Sequence, residues 1–424
     1  MKTGIFAGAV ILLMFCMDVS YSQTMTIEEC FRKAKANYPL IKQHNLVERS
    51  KEYSISNLQK TFLPQIVANV QASYQSEVIT LPVNIPNISA ISKGQYRATV
   101  DLSQTLWDGG IVKSQKELTQ AATNVELQNV EVEMYPIVEQ VCNLYFGALL
   151  TGEQLKQLDI LKENLEVSLA IANAMQKNGV AIASDIDALN VEILNTLQKK
   201  TEIRHLKNAY TQMLSSLIAE PLDSLSFVRS TNALPDLQNI EIRRPEISLF
   251  ERQISLLDAR EDMLKSKNMP HFSLFVQGGY GRPGLNMLSN NFDFWAIGGL
   301  RMSWYFGNFY TKSNEKRIIN IDREKIRNRE ETLKVNINRQ LLQIRNEIDS
   351  YSELMTSDKE IIALREKVRI ASEKKYNNGI CTVNDLIKDI NAENLARQSR
   401  AIHETLYLMS IYKYKNVAGT INFE

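Results

Sequence analysis

The sequence predicts an α+β membrane protein, a tandemly duplicated protomer of long antiparallel, coiled-coil-like helices with four β-strands of membrane-crossing length. Three observations predict it. One set of landmarks occurs twice in the same order, four segments of about ten residues alternate apolar with polar side chains, and the stretches after them run on almost without Gly or Pro.

The N-terminus sets the compartment. Lys2 precedes an apolar run from Gly4 to Met17, and the small residues Ser20 and Ser22 stand before Gln23. This reads as a secretory signal peptide over 1–22. The run is too short for a permanent membrane helix, which needs about 20 apolar residues. Phe15 is bulky where a lipoprotein signal requires a small residue, which argues against a lipid anchor on Cys16. The remaining cysteines, Cys30, Cys142 and Cys381, are odd in number and widely spaced. They form no disulfide framework and read as buried small hydrophobes. A net charge of +1 gives no electrostatic reason to bind nucleic acid.

The duplication is visible in the prolines and the Asn-Gly pairs. Tyr38-Pro39-Leu40-Ile41 answers Arg244-Pro245-Glu246-Ile247, and Leu63-Pro64-Gln65 answers Met269-Pro270-His271, both at an offset of 206 (245 − 39 and 270 − 64). Asn178-Gly179 with Asp185 answers Asn378-Gly379 with Asp385 at an offset of 200 (379 − 179). The expected organisation is a first repeat over 23–243 and a second over 244–424. Each begins with a helix between its two prolines, because Pro is tolerated at a helix start and pushes the residue before it out of the α region.

Two strands follow in each repeat, at about 65–76 and 95–107 and at about 271–281 and 292–305. Ile66, Ala68, Val70, Ala72 and Tyr74 share one face, and Val67, Asn69, Gln71, Ser73 and Gln75 the other. The other three strands alternate in the same way, except that Trp295 and Ile297 interrupt the polar face of the last. Aromatics gather at strand ends (Tyr74, Tyr96, Trp107, Tyr280, Phe292, Phe294, Trp304, Tyr305), as in an interfacial girdle. Periodicity alone equally allows a two-sheet sandwich with one wet face.

The long helices come next, reversing at turns near 178–184 and 377–383. Ile111 to Lys177 contains only Pro136, Gly147 and Gly152 as breakers, and Thr311 to Asn378 contains none. In the latter, Leu333, Ile337, Leu341, Ile344, Ile348 and Tyr351 make a heptad-like seam. Four strands cannot close a barrel, and an open edge in hydrocarbon leaves backbone groups unpaired. The membrane reading therefore requires at least two copies, and three would give twelve strands.

Leu106-Trp107-Asp108-Gly109-Gly110, the duplicated plan, and the turns Lys177 to Asp185 and Tyr376 to Leu386 together resemble the TolC-like outer-membrane efflux proteins, over nearly the whole mature chain. The resemblance implies a homotrimer sharing a twelve-stranded barrel in the outer membrane and a long periplasmic α-barrel. It also implies a periplasmic adaptor and an inner-membrane pump as partners, outer-membrane lipid around the barrel, and multidrug efflux, metal export or protein secretion as the service performed. The turns would then be the periplasmic tip. Gly179 and Gly379 suit the left-handed end of a helix, and Ser184 or Asp185, and Asn384 or Asp385, suit capping of the next. The family's closed-state latch joins a tyrosine and an arginine to a threonine-aspartate pair, and the matching positions are Tyr376, Cys381, Ser184 and Asp185. Tyr376 and Asp185 fit, whereas Cys381 removes the cationic donor. A cation-selective pair of aspartates would fall on Asp385 and Lys388, so only the first is acidic, with Asp389 beside the second. Capping alone accounts for these residues as well as gating does.

No other constellation carries chemistry. His44, His205, His271 and His403 have no ligand spacing, and Gly278 to Gly284 lacks the Lys-Ser/Thr ending of a phosphate loop. Neither an enzyme nor a cofactor is expected. The competing reading is a periplasmic coiled-coil adaptor or scaffold without a barrel, which leaves the four strands unexplained.

Overall fold

The computed structural model describes residues 24–78, 91–222, 226–227 and 241–421. The expected signal peptide and Cys16 lie outside the described residues.

Thr24–Met25 (β1) pairs in parallel with Ser226–Phe227 (β4). Helix α1, Ile27–Asn37, starts on a capping box in which Thr26 Oγ1 accepts the Glu29 N–H and the Glu29 carboxylate accepts the Thr26 N–H. Helix α2 (Ile41–Gln59) and a short 3₁₀ turn lead into strands β2, Gln65–Tyr74, and β3, Gly94–Trp107. Helices α3 (Ile111–Met134), α4 (Ile137–Lys177) and α5 (Ala183–Ile218) complete the first half. The second half runs α6 (Pro245–Ser266), β5 (His271–Arg282), β6 (Asp293–Ser303), α7 (Asn308–Asn377) and α8 (Val383–Ala418). At 1.5 Å per residue the 70 residues of α7 span about 105 Å. That length separates the sheet from the Asn-Gly turns.

The stretch from Ile111 to Lys177 is two helices rather than one rod. Pro136 has no N–H to continue the ladder and its ring obstructs the preceding turn, so the axis breaks at Tyr135–Pro136. Other parts of the chain meet at the break. The Tyr135 hydroxyl donates to the Asn416 carbonyl at the end of α8, and the Arg244 guanidinium lies 4.4 Å over the Tyr135 ring. Nearby, Phe31, Tyr145, Phe146 and Tyr412 belong to the largest buried cluster, where Cys30 and Cys142 are also enclosed. Burial pushes the Cys30 thiol up to about 12 and Cys142 higher still, so both behave as apolar fillers. Further along, Ile337, Leu341, Ile344 and Ile348 of α7 pack on Ile411 and Tyr414 of α8 as a second seam. Among the described residues no helix is long and apolar enough to cross a membrane.

The four long strands form one antiparallel sheet in the order β2-β3-β5-β6. Its rows align side chains of one kind. Val70 faces Ala98, Ala98 faces Tyr280, and Tyr280 faces Phe294. Parallel rows carry Ile66, Leu102, Val276 and Gly298, and Ala68, Val100, Gly278 and Ala296. Among the described residues nothing covers this apolar face, with Val70 and Phe294 each 86% exposed. The opposite face is polar and centred on Asp101, whose carboxylate accepts from Asn69 Nδ2 (2.9 Å), Thr99 Oγ1 (3.3 Å) and Gln277 Nε2. Trp295 fits this polar face because it pairs with Gly279, and a Cβ there would lie 2.5 Å from the indole. The glycine leaves room for a ring to lie flat on the strand.

Candidate functional site: the sheet and the tip

Two regions are candidates for function, the sheet at one end of the long helices and the paired turns at the other. The sheet is joined to the helices differently in its two halves. After β3, Gly109 and Gly110 adopt φ of 69° and 87°, and the Asp108 carboxylate accepts the N–H groups of Gly110 (2.9 Å) and Val112 (2.6 Å) to start α3. Gly109 is packed so tightly that a Cβ would stand 2.6 Å from Met269 Cβ. After β6, the junction is the aromatic run Trp304-Tyr305-Phe306-Gly307-Asn308-Phe309-Tyr310, and Trp304, Tyr305, Phe306, Phe309 and Tyr310 are all exposed.

At the tip, both helix ends are Schellman motifs. The Val180 N–H reaches the Met175 carbonyl and the Gly179 N–H the Gln176 carbonyl, both at 2.9 Å. In the second turn the Ile380 N–H reaches Lys375 and the Gly379 N–H reaches Tyr376, again both at 2.9 Å. Gly179 and Gly379 have φ of 77° and 68°, the left-handed region open to Gly.

The helices that follow begin differently. Thr382 is the N-cap of α8. Its hydroxyl oxygen accepts the Asp385 N–H at 3.2 Å, and the Asp385 carboxylate accepts the Thr382 N–H (3.2 Å) and hydroxyl (2.7 Å). These hydrogen bonds, the side-chain one foremost, hold the Asp385 carboxyl below its ordinary value, and Lys388 adds to the effect. In α5 the N-cap position is Ile182, which has no acceptor to offer, so only Asp185 acts, accepting the Ile182 N–H at 3.3 Å. Ser184 and Asn384 stand inside their helices and are not the caps, which corrects the expectation that either could serve.

Tyr376 is buried, with Val383, Leu386 and Ile390 of α8 and Leu165 and Leu189 of the first hairpin in the same cluster. Its hydroxyl is enclosed with no hydrogen-bond partner among the described residues. Burial raises its pKa, and the Asp185 carboxylate and Cys381 thiol push the same way. The single chain therefore brings Tyr376 and Asp185 into electrostatic range without a hydrogen bond between them. Cys381 Sγ donates instead to the Ser372 carbonyl at 3.5 Å. Ser184, Asp385 and Lys388 are exposed.

Sequence reasoning passed over Thr382 and Glu393, and it named Asp389 without its partner. Thr382, three residues before Asp385, was findable as a capping box. Asp389, which accepts from Ser372 Oγ, and Glu393, buried between Arg369 and Arg397, join α7 to α8. Nothing in one sequence pairs those charges. No group of metal-binding side chains occurs among the described residues.

Residues 31–219 match the family described as Outer membrane efflux protein. The whole described fold is similar to solved outer-membrane channels. CusC shares 14% identity at a TM-score of 0.65, covering 94% of this chain and 95% of that one. CmeC of Campylobacter jejuni shares 14% at 0.61, with 93% and 85% covered, and MtrE of Neisseria gonorrhoeae, in its open state, 12% at 0.62, with 94% and 90% covered. No curated protein matches the sequence. The first half of the chain thus carries the sequence pattern of the outer-membrane efflux protein family, and the described fold is similar to that of solved outer-membrane channels.

Proposed function

We propose that this protein is the outer-membrane exit duct of a tripartite efflux or type I secretion system. It works as a homotrimer whose strands close one twelve-stranded barrel and whose helices extend into the periplasm as a tube. A periplasmic adaptor opens the tip, and an inner-membrane pump delivers the cargo. The outer-membrane location rests on the matched family segment and on the channel fold. Residues 1–22 are the export signal, and 23–243 and 244–424 are the two copies of a duplicated unit.

One observation carries the reading. The sheet has two unpaired edges, β2 and β6, and an apolar face with no protein against it. In water such a face would sit at the edge of aggregation. In hydrocarbon the face is satisfied but the edges are not, because unpaired N–H and C=O groups cost several kcal/mol each. Joining β6 of one protomer to β2 of the next removes both edges, and the polar face around Asp101 becomes the lumen wall. An adaptor or scaffold has no need of such a sheet.

At the tip, Asp185 and Tyr376 help hold the duct shut and Asp385 lines the constriction, with Lys388 and Asp389 tempering any ion preference. The enclosed Tyr376 hydroxyl supports this, since a group from a neighbouring protomer can supply the partner it lacks. Native mass spectrometry of the detergent-extracted mature protein tests the assembly. A trimer is expected, and a detergent-independent monomer would overturn the channel. Asp185→Ala should raise closed-state conductance in planar bilayers, and unchanged conductance would remove the latch while leaving the channel in place.

A further inference from the structure

Arg282 occupies an unusual place in the sheet. It pairs with Tyr96, so its side chain shares the apolar face with Tyr280 and Phe294. It lies ten residues beyond Phe272 on β5, about 34 Å along the strand at 3.4 Å per residue. At a tilt of about 40° that is roughly 25 Å along the membrane normal, the height of the apolar band of such barrels. Arg282 therefore stands at the outer boundary of the hydrocarbon, on the side that meets lipid.

The guanidinium is held in place but not neutralised. It lies 5.7 Å over the Tyr96 ring and 5.3 Å over the Phe292 ring. One terminal nitrogen donates to Ser92 Oγ (3.3 Å) and more weakly to the Gly94 carbonyl (3.5 Å). Nε is enclosed and has no acceptor. Among the described residues Arg282 has no ion pair, and Asp293, the carboxylate at this end of β6, accepts instead from Ser289 Oγ at 3.4 Å. A planar cation held beside a stacked pair of rings (Tyr96 and Phe292, centroids 6.3 Å apart) at the edge of hydrocarbon, with no ion pair among the described residues, lacks its counter-charge. The anion abundant at that depth is lipid phosphate, which a guanidinium fork binds in bidentate fashion.

We propose that Arg282 is a binding site for the phosphate of an outer-leaflet membrane lipid, one per protomer, with Tyr96 and Phe292 as the walls of the site. This rests on the barrel reading above. The two ring contacts pre-order the guanidinium, so little side-chain freedom is lost on binding. The lipid in turn ties the loop after β5 to the start of β3 through the Arg282–Ser92 contact.

The test is native mass spectrometry of the extracted oligomer titrated with a diphosphoryl glycolipid (lipid A), with its dephosphorylated form, and with inorganic phosphate. Wild type should retain the phosphorylated lipid at least tenfold better than the dephosphorylated one. Arg282→Gln should abolish the difference, and Arg282→Lys should keep part of it. Equal retention of the two lipids by wild type, or an undiminished preference in Arg282→Gln, would overturn the site. Displacement of the lipid by an equal concentration of inorganic phosphate would overturn its assignment to lipid. If Arg282→Gln fails to assemble, the two lipids on wild type and the Lys variant still decide. A soluble monomer takes down the barrel and the site together, whereas an oligomer indifferent to phosphate takes down the site alone.

Discussion

The two tip turns have the same backbone and different anchors. Each ends its incoming helix with the same pair of Schellman hydrogen bonds and a left-handed glycine. Beyond the glycine they diverge. The second turn is closed by the reciprocal Thr382–Asp385 box and driven into the core by Val383 and Leu386, each 1% exposed. The first has Ile182 at the N-cap, and the counterparts of Val383 and Leu386, Ala183 and Ile186, are exposed and half-buried. The difference teaches that two turns can share the geometry of reversal while their side chains set how firmly each is held. The second hairpin is the fixed member and the first the looser one, and local amide exchange should report that asymmetry.

The largest effect should come from the anchor itself. Leu386→Ala removes a fully enclosed side chain and should cost about 2–5 kcal/mol of local stability, raising exchange at the start of α8. Its counterpart Ile186 is only half-buried, so Ile186→Ala should cost distinctly less. Equal losses would break the contrast. Next come Gly179→Ala and Gly379→Ala. A Cβ at either meets nothing within 4 Å, so only the left-handed backbone penalty of about 1–2 kcal/mol applies. The two variants should behave alike, which isolates the shared part of the turns. Smaller again is the exchange of caps. Thr382→Ala should lose about 1 kcal/mol, and Ile182→Thr should gain a similar amount by completing the box with Asp185. Hydrogen-exchange mass spectrometry on the two variants should then show the tips becoming more alike.

How much of this was legible beforehand follows from what each pattern encodes. Alternation from Ile66 to Tyr74 and from Phe272 to Tyr280 names a face, and those residues do share one face of the sheet. The seam from Leu333 to Ile348 names a stripe, and it lies against α8. Neither pattern names a neighbour in space. The strand order β2-β3-β5-β6 depends on pairing across more than 170 residues (Asp101 with Gln277), which local periodicity does not contain. Trp295 looked like an interruption because a single strand cannot reveal that Gly279 lies opposite. Pro136 was visible, but its consequence, a full break with Tyr135 turned onto Asn416, depends on α8 arriving there. At the tip the backbone was legible in Asn-Gly. The burial of Tyr376 was not, because it is made by residues of both hairpins packing together.

The most delicate test of the asymmetry is the acid response of Asp385. The Thr382 hydroxyl and N–H both donate to its carboxylate and favour the ionised form, so its folded pKa lies below the unfolded one. A carboxylate lowered in this way contributes stability that is present above its unfolded pKa and is lost as pH falls through the lowered folded value. The second cap should therefore hold throughout the neutral and mildly acidic range and loosen only in stronger acid. Thr382→Ala removes the largest cause, so the Asp385 midpoint should move up towards that of an ordinary aspartate and exchange at the start of α8 should rise at a higher pH. Thr382→Ser keeps the hydroxyl and should leave the midpoint close to wild type. Carboxyl titration by NMR on side-chain-labelled protein reads both. A midpoint that stays low in the Ala variant would assign the lowering to the backbone N–H and Lys388 instead, and would remove the side-chain box as the reason the second turn is the firmer of the two.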